Sequence, residues 1–180
     1  MVQLRGGRGG PRGHGVGRLL RVLGIDPGSH VMGYGLVARA GGGFTLEECG
    51  VLRADADTSL PERLVQIHRG LQEVLERLRP TCVAVEDVFH GRNARTAAVL
   101  GHARGAILLT AALFEMEVAE YPPATIKKAV VGNGNAAKDQ VAFMVQKHLG
   151  LASPPEPADA ADGCAAALCH LMVGVGPLAR

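Results

Sequence analysis

The sequence predicts an α/β fold, with a five-stranded mixed sheet flanked by helices. Three observations carry this. Apolar runs of strand length recur at residues 20–25, 31–37, 44–52, 82–85 and 117–121, punctuated by Gly, Pro and polar turns. Between them, apolar residues recur at helical spacing, first from Leu60 onward. Two of the short strands also end the same way, on an acid: Ile25 leads into Asp26, and Val85 into Glu86.

In chain order, residues 1–19 hold seven Gly and few large apolar side chains. Such a segment cannot offset its ordering entropy by burial, so a disordered Gly/Arg-rich extension is expected there, followed by a single domain over residues 20–180. The strand ending at Asp26 meets Pro27, which holds the residue before it extended, and then Gly28, which permits a tight turn into the second strand. Gly41-Gly42-Gly43 turns the chain again into a third strand, completing an antiparallel meander. Ser59 and Glu62 have capping-box spacing. Leu60, Leu64, Ile67, Leu71, Val74, Leu75 and Leu78 then mark one helical face, and Pro80 ends that helix.

Residues 82–85 form a fourth strand, and if it lies parallel beside the first it brings Glu86 next to Asp26. Asp87 adds a second acid directly after Glu86. Residues 93–114 predict a long helix rich in Ala and Gly, able to approach either the sheet or a second subunit closely. A fifth strand at 117–121 stops at Pro122-Pro123. Helices follow at 125–131, 138–149 and from 158, the last carrying Asp159 and Asp162 on one face at its first turn.

Composition narrows the function. The net charge of +2 hides a split, because Arg5, Arg8, Arg12 and Arg18 leave 15 Lys+Arg against 17 Asp+Glu in the remainder. A mildly acidic domain binds nucleic acid only with its cations on one face and its acids in a pocket. Two Tyr and four Phe are too few for a single-strand stacking platform. Cys49, Cys82, Cys164 and Cys169 form no CxxC pair and read as buried free thiols. Residues 105–114, the longest uncharged apolar run near the middle, fall short of the ~20 needed to span a bilayer. No signal-type apolar stretch precedes Asp26, so no membrane and a cytoplasmic location are expected. Residues 132–138 lack the spacing and preceding strand of a nucleotide phosphate loop. A helix N-terminus beside Lys127, Lys128 and Lys138 could still hold a backbone phosphate.

Asp26, Glu86, Asp159 and Asp162 are therefore the candidate chemistry. Hard carboxylate oxygens suit Mg2+ or Mn2+. Crowded without a cation, they would repel and drive their pKa values up. Two ions roughly 3.5–4 Å apart can activate water on one side of a phosphodiester and stabilise the leaving oxygen on the other. The sequence offers no serine nucleophile elbow, Cys–His couple or zinc box.

Val22-Leu23-Gly24-Ile25-Asp26-Pro27-Gly28-Ser29 through Gly33-Tyr34-Gly35 resembles the opening of the RuvC-type Holliday-junction resolvases. So do Val85-Glu86-Asp87-Val88-Phe89, Gly101-His102-Ala103-Arg104-Gly105, Val130-Val131-Gly132 and Ala158-Asp159-Ala160-Ala161-Asp162, in collinear order over residues 20–173. The resemblance implies a ribonuclease-H-like fold and a homodimeric endonuclease that resolves four-way DNA junctions by paired symmetric nicks. It implies that Asp26, Glu86, Asp159 and Asp162 are catalytic, holding two Mg2+ per site with Mn2+ as a possible substitute. In that scheme Asp26 bridges the ions, Glu86 and Asp162 hold one each, and Asp159 holds or orients the water. The products would be 5′-phosphate and 3′-hydroxyl ends. Lys127 and Lys138 correspond to phosphate-contacting lysines, with Lys128, Arg92 and Arg95 as further contacts and Phe89 as an aromatic near the junction centre. The RuvA–RuvB branch-migration complex is the implied partner. A ribonuclease-H-like nuclease for RNA–DNA hybrids and a noncatalytic DNA-binding module remain as alternatives. A sugar-kinase-type ATPase would need a second domain that 180 residues cannot hold.

Overall fold

The computed structural model describes residues 20–87 and 94–174. The expectations for residues 1–19, Phe89 and Arg92 lie outside them. The elements are β1 (Arg21–Asp26), β2 (Val31–Ala40), β3 (Gly43–Arg53), α1 (Leu60–Leu78), β4 (Cys82–Glu86), α2 (Ala94–Leu113), β5 (Glu117–Tyr121), α3 (Pro123–Val131), α4 (Lys138–Leu149) and α5 (Ala158–Val173). The sheet order is β3-β2-β1-β4-β5. The first three strands form the antiparallel meander, while β4 lies parallel to both β1 and β5.

Local chemistry accounts for the connections. Ala40 pairs with Gly43, so the β2–β3 hairpin turns on Gly41 and Gly42 alone, both at positive φ, as right-handed strand twist favours. At the start of α1, Glu62 accepts hydrogen bonds from both the backbone N–H and the hydroxyl of Ser59. These satisfy groups that the helix leaves open at its N-terminus. Arg79 takes a left-handed conformation that closes the helix before Pro80.

Strand pleating splits the core into two layers. Leu23, Ile25, Val83 and Val85 face α1 and α2, where Ile67, Leu71, Val74, Ala103 and Ile107 meet them. Val22, Cys82 and Ala84 face α3, α4 and α5. Each fully buried Leu, Ile or Val contributes roughly 1.5–3 kcal/mol, so both layers are needed to hold the sheet. His170 is the one buried histidine among the described residues; it sits between the Tyr121 hydroxyl (2.8 Å) and the Cys82 sulfur (3.5 Å). All four cysteines are free thiols, and three are buried. Helix α2 is long and apolar enough, by length and composition alone, to cross a bilayer. It is packed onto α1 and the sheet through Ala103, Ile107, Thr110 and Ala111.

Candidate active site

Ile25 of β1 lies opposite Val85 of β4, and each strand runs into an acid one residue later. Adjacent strands are ~4.8 Å apart, which sets Asp26 and Glu86 side by side. Alternation gives both the face of Val22, Gly24, Cys82 and Ala84, the face that α5 covers. Asp87 falls on the opposite face, where it pairs with Arg104 of α2 at 3.3 Å. Glu86, and not Asp87, therefore lines the cleft.

A cradle of glycines brings the other two acids. Asp26 is the register partner of Gly33, and Gly24 of Gly35. Across this bare patch α5 runs in backbone contact with the sheet. A Cβ on Gly33 would meet the Asp159 carbonyl oxygen at 1.8 Å, and one on Gly24 the Gly163 carbonyl oxygen at 2.0 Å. On Gly35 it would meet the Cys164 sulfur at 2.4 Å. Gly163 in turn lies against the backbone of Tyr34. With no side chain between them, the first turn of α5 drops Asp159 and Asp162 beside Asp26. One oxygen from each of Asp26, Asp159 and Asp162 lies within 4.8 Å of the others.

The cleft is lined by Asp26, Glu86 and Asp162 together with Lys127, Lys138, Ile126 and Val141. Lys138, the first residue of α4, donates to the Asp162 carboxylate at 2.9 Å. Lys127, half-buried on α3, shares the lining, whereas Lys128 points outward and is exposed. Arg95 is exposed in the first turn of α2, away from the cleft lining.

Crowding shows in the titration of the strand-end acids. Asp26 is pushed up to about 7, chiefly by burial and then by Asp162 and Asp159, with Lys138 opposing. Glu86 is also pushed up to about 7, by burial, Asp26 and Asp162, with Lys138 and Lys127 opposing. Lys138 is raised by its bond to Asp162. Carboxylates that the protein itself leaves short of positive charge, with oxygens converging from β1 and α5 and Glu86 of β4 lining the same cleft, suit a hard divalent cation.

The pH dependence of stability follows. Both carboxyls go from about 4 when unfolded to about 7 when folded, so the native state holds the extra protons between those values. Their contribution is fully present below pH 4 and is lost as pH rises through 7. A divalent ion held by these acids would replace the protons, so if Mg2+ is that ion, the rise in melting midpoint on adding it should be small at pH 5 and grow to a plateau near pH 8. An Mg2+ effect independent of pH would mean that Asp26 and Glu86 are not the groups the ion meets.

Sequence reasoning missed two features. One is the glycine cradle, whose signal was Gly at alternate positions, Gly33 and Gly35, opposite an Ala-rich helix. The other is the charge set behind Asp87, where Arg104 also pairs with Glu120 of β5.

Such a sheet, with the antiparallel meander on one side and parallel strands on the other, helices on both faces and acids at the ends of its two central strands, is the ribonuclease-H-like arrangement. A family model described as RuvC, crossover junction endodeoxyribonuclease, matches residues 22–170. The crossover junction endodeoxyribonuclease RuvC of Chloroflexus aggregans is 48% identical over 151 residues, covering 84% of this chain and 92% of that protein. That of Syntrophomonas wolfei is 47% identical over 152 residues, covering 84% and 88%. Among solved structures, Thermus thermophilus RuvC in complex with Holliday junction substrate superposes with a TM-score of 0.81 at 39% identity, covering 86% of this chain and 94% of that one. The chain belongs to the RuvC family of crossover junction endodeoxyribonucleases.

Proposed function

We propose that this protein resolves four-way DNA junctions, each subunit of a homodimer nicking one of two opposed strands by Mg2+-dependent hydrolysis that leaves 5′-phosphate and 3′-hydroxyl ends. The observation that carries this reading is the convergence of Asp26, Asp159 and Asp162, with Glu86 lining the same cleft beside two lysines, in a chain of the RuvC family. The acids would hold Mg2+, or Mn2+ in its place, which when bound supplies activation of water and neutralisation of the leaving oxygen. Asp26 stands between the two groups, one strand from Glu86 in the same cleft and within 4.8 Å of the α5 acids. Lys138 and Lys127 offset part of the carboxylate charge and offer ammonium donors to the scissile strand's phosphates. Lys128 and Arg95, exposed on α3 and α2, extend that positive surface, with Arg92 as a further phosphate contact and Phe89 assigned near the junction centre by family resemblance.

Removal of a phosphate-contacting lysine flattens the salt dependence of binding by about 0.9 in log–log slope. Lys127→Ala and Lys138→Ala should each do so when junction binding is measured in Ca2+ across a salt series. An unchanged slope would put that lysine off the DNA.

The dimer is assigned to the outer face of α2. Leu109 and Leu113 are 60% and 64% exposed there, and the space in front of Gly101 and Gly105 is open. With Val65 of α1 they make an apolar surface suited to a second copy, which would present two clefts to opposed strands. Sedimentation should give twice the chain mass of 18.7 kDa, and a monomer at working concentration would remove the explanation for paired nicks. A cytoplasmic enzyme working with the RuvA–RuvB branch-migration complex completes the reading.

The test is cleavage of a synthetic four-way junction beside a linear duplex and an RNA–DNA hybrid, with and without Mg2+. Paired, metal-dependent nicks confined to the junction support the proposal. Cutting of the hybrid would assign the chain a different substrate, and binding without cutting in every metal would refute the role of the acids.

A further inference from the structure

Glu86 and Asp87 are adjacent acids at the end of β4, and only one of them belongs in the cleft. The pleat separates them, with Glu86 on the α5 face and Asp87 on the α2 face, but the support for that parity is thin. Pairing of β4 with β1 ends at Val85, and pairing with β5 ends at Glu86 plus one backbone bond from Asp87 N–H to the Tyr121 carbonyl, 2.8 Å. A one-residue slip at such an end exchanges the faces of the two side chains. On the α2 face, Arg104 reaches both Asp87 and Glu120 with the same terminal nitrogen. Glu120 is on that face by the alternation that sends Tyr121 to His170 on the other. Arg104 therefore joins the ends of β4 and β5 and gives Asp87 a cation of its own, away from the cleft.

We propose that Arg104 is a positioning residue for the nuclease site: by engaging Asp87 and Glu120 it keeps Asp87 out of the carboxylate cluster, so that Glu86 alone of the adjacent pair faces Asp26. This rests on the reading of Asp26, Glu86, Asp159 and Asp162 as the metal-holding acids. Freed from Arg104, Asp87 becomes a rival oxygen donor at the same strand end. A divalent ion would still be bound, at least as tightly, but by a set that no longer places it for hydrolysis.

The experiment uses the full-length chain and the variants R104A, D87N and R104A/D87N. It measures Mg2+ affinity by calorimetry, junction affinity in Ca2+, melting midpoint, and the nicking rate at saturating enzyme and Mg2+. D87N should stay within about twofold of the parent in rate and Mg2+ affinity, because the rival is gone. R104A should lose about tenfold in rate with Mg2+ binding no weaker, and R104A/D87N should recover to within about threefold of the parent. An unchanged rate in R104A overturns the proposal. So does a loss of Mg2+ affinity and midpoint that the double variant fails to restore, which would make Arg104 merely structural. A loss of junction affinity with the saturated rate intact would make it a phosphate contact instead. If the parent chain neither binds Mg2+ nor nicks, the reading of the four acids fails, an outcome distinct from any pattern among the variants.

Discussion

Replacing Asp26 with Asn lowers junction nicking by roughly 10³-fold or more, about 4 kcal/mol of transition-state stabilisation, and leaves junction affinity within a few fold. The two effects separate because Asp26 lies low in the cleft, at the end of a buried strand, while the ammonium groups of Lys127 and Lys138 stand on the α3 and α4 side of it. The same variant gains stability in metal-free buffer at pH 8. The ionised Asp26 there is desolvated and repelled by Asp162 and Asp159, and a neutral amide of the same shape is not. At pH 5 the gain shrinks, since Asp26 below its pKa of about 7 is already protonated. Nicking assays and thermal melts at the two pH values check both halves. Parallel loss of binding and nicking would make Asp26 a structural acid, and a melting midpoint that fell at pH 8 would mean that it is paired rather than crowded.

Gly33→Ala is the second large effect. Its Cβ would sit 1.8 Å from the carbonyl oxygen and 2.4 Å from the carbonyl carbon of Asp159, both backbone atoms of α5. No rotamer change relieves such a clash, so the helix has to lift from the sheet. Overpacking of this kind costs about 3 kcal/mol and more where backbone must move. The lift also carries Asp159 and Asp162 away from Asp26, so residual folded protein should nick poorly even at high Mg2+. Gly101→Ala is the contrast within one subunit: no atom of the same chain lies within 4 Å of its added Cβ on α2, so at concentrations where the chain is monomeric the helix gains roughly 0.5–1 kcal/mol from reduced backbone freedom in the unfolded chain. Denaturant midpoints for the two variants should move in opposite directions. Equal, small changes would show that α5 is not seated on the sheet backbone.

These two sites differ in how openly the sequence announces them. The acid-ended strands at Asp26 and Glu86 are legible because a carboxylate closing a short apolar run is a local pattern, and the α1 capping box and its apolar stripe are local too. Asp159 and Asp162 are legible as a pair on one helical turn. Their approach to Asp26 is not, because it depends on register between β1 and β2 and on a helix more than 120 residues further along. The third strand is legible over residues 44–52 despite Glu47 and Glu48, but the bulge opposite it between Leu36 and Val37 has no sequence signal. Residues 82–85 are apolar and buried on both faces, so alternation in the sequence does not separate Glu86 from Asp87; the resemblance does, and the structure agrees in turning Val83 and Val85 toward α1 and α2. The partner that fixes Asp87 lies 17 positions away on α2, and no spacing rule connects them.

The bare contact between α5 and the sheet has a bearing on how this enzyme tolerates change. Most active sites rest on side chains that rest on other side chains, so errors of packing accumulate toward the reacting atoms. Here the distance between the strand carrying Asp26 and the helix carrying Asp159 is fixed by main-chain atoms touching main-chain atoms, with little compressible between them. Substitutions among Ile67, Leu71, Val74 and Ile107 on the far side of the sheet can erode stability while the spacing of the acids stays as it is. The two layers of the core thus carry different constraints: the far one has a volume to fill, while the near one is bound to a geometry in which a single methyl group is too many.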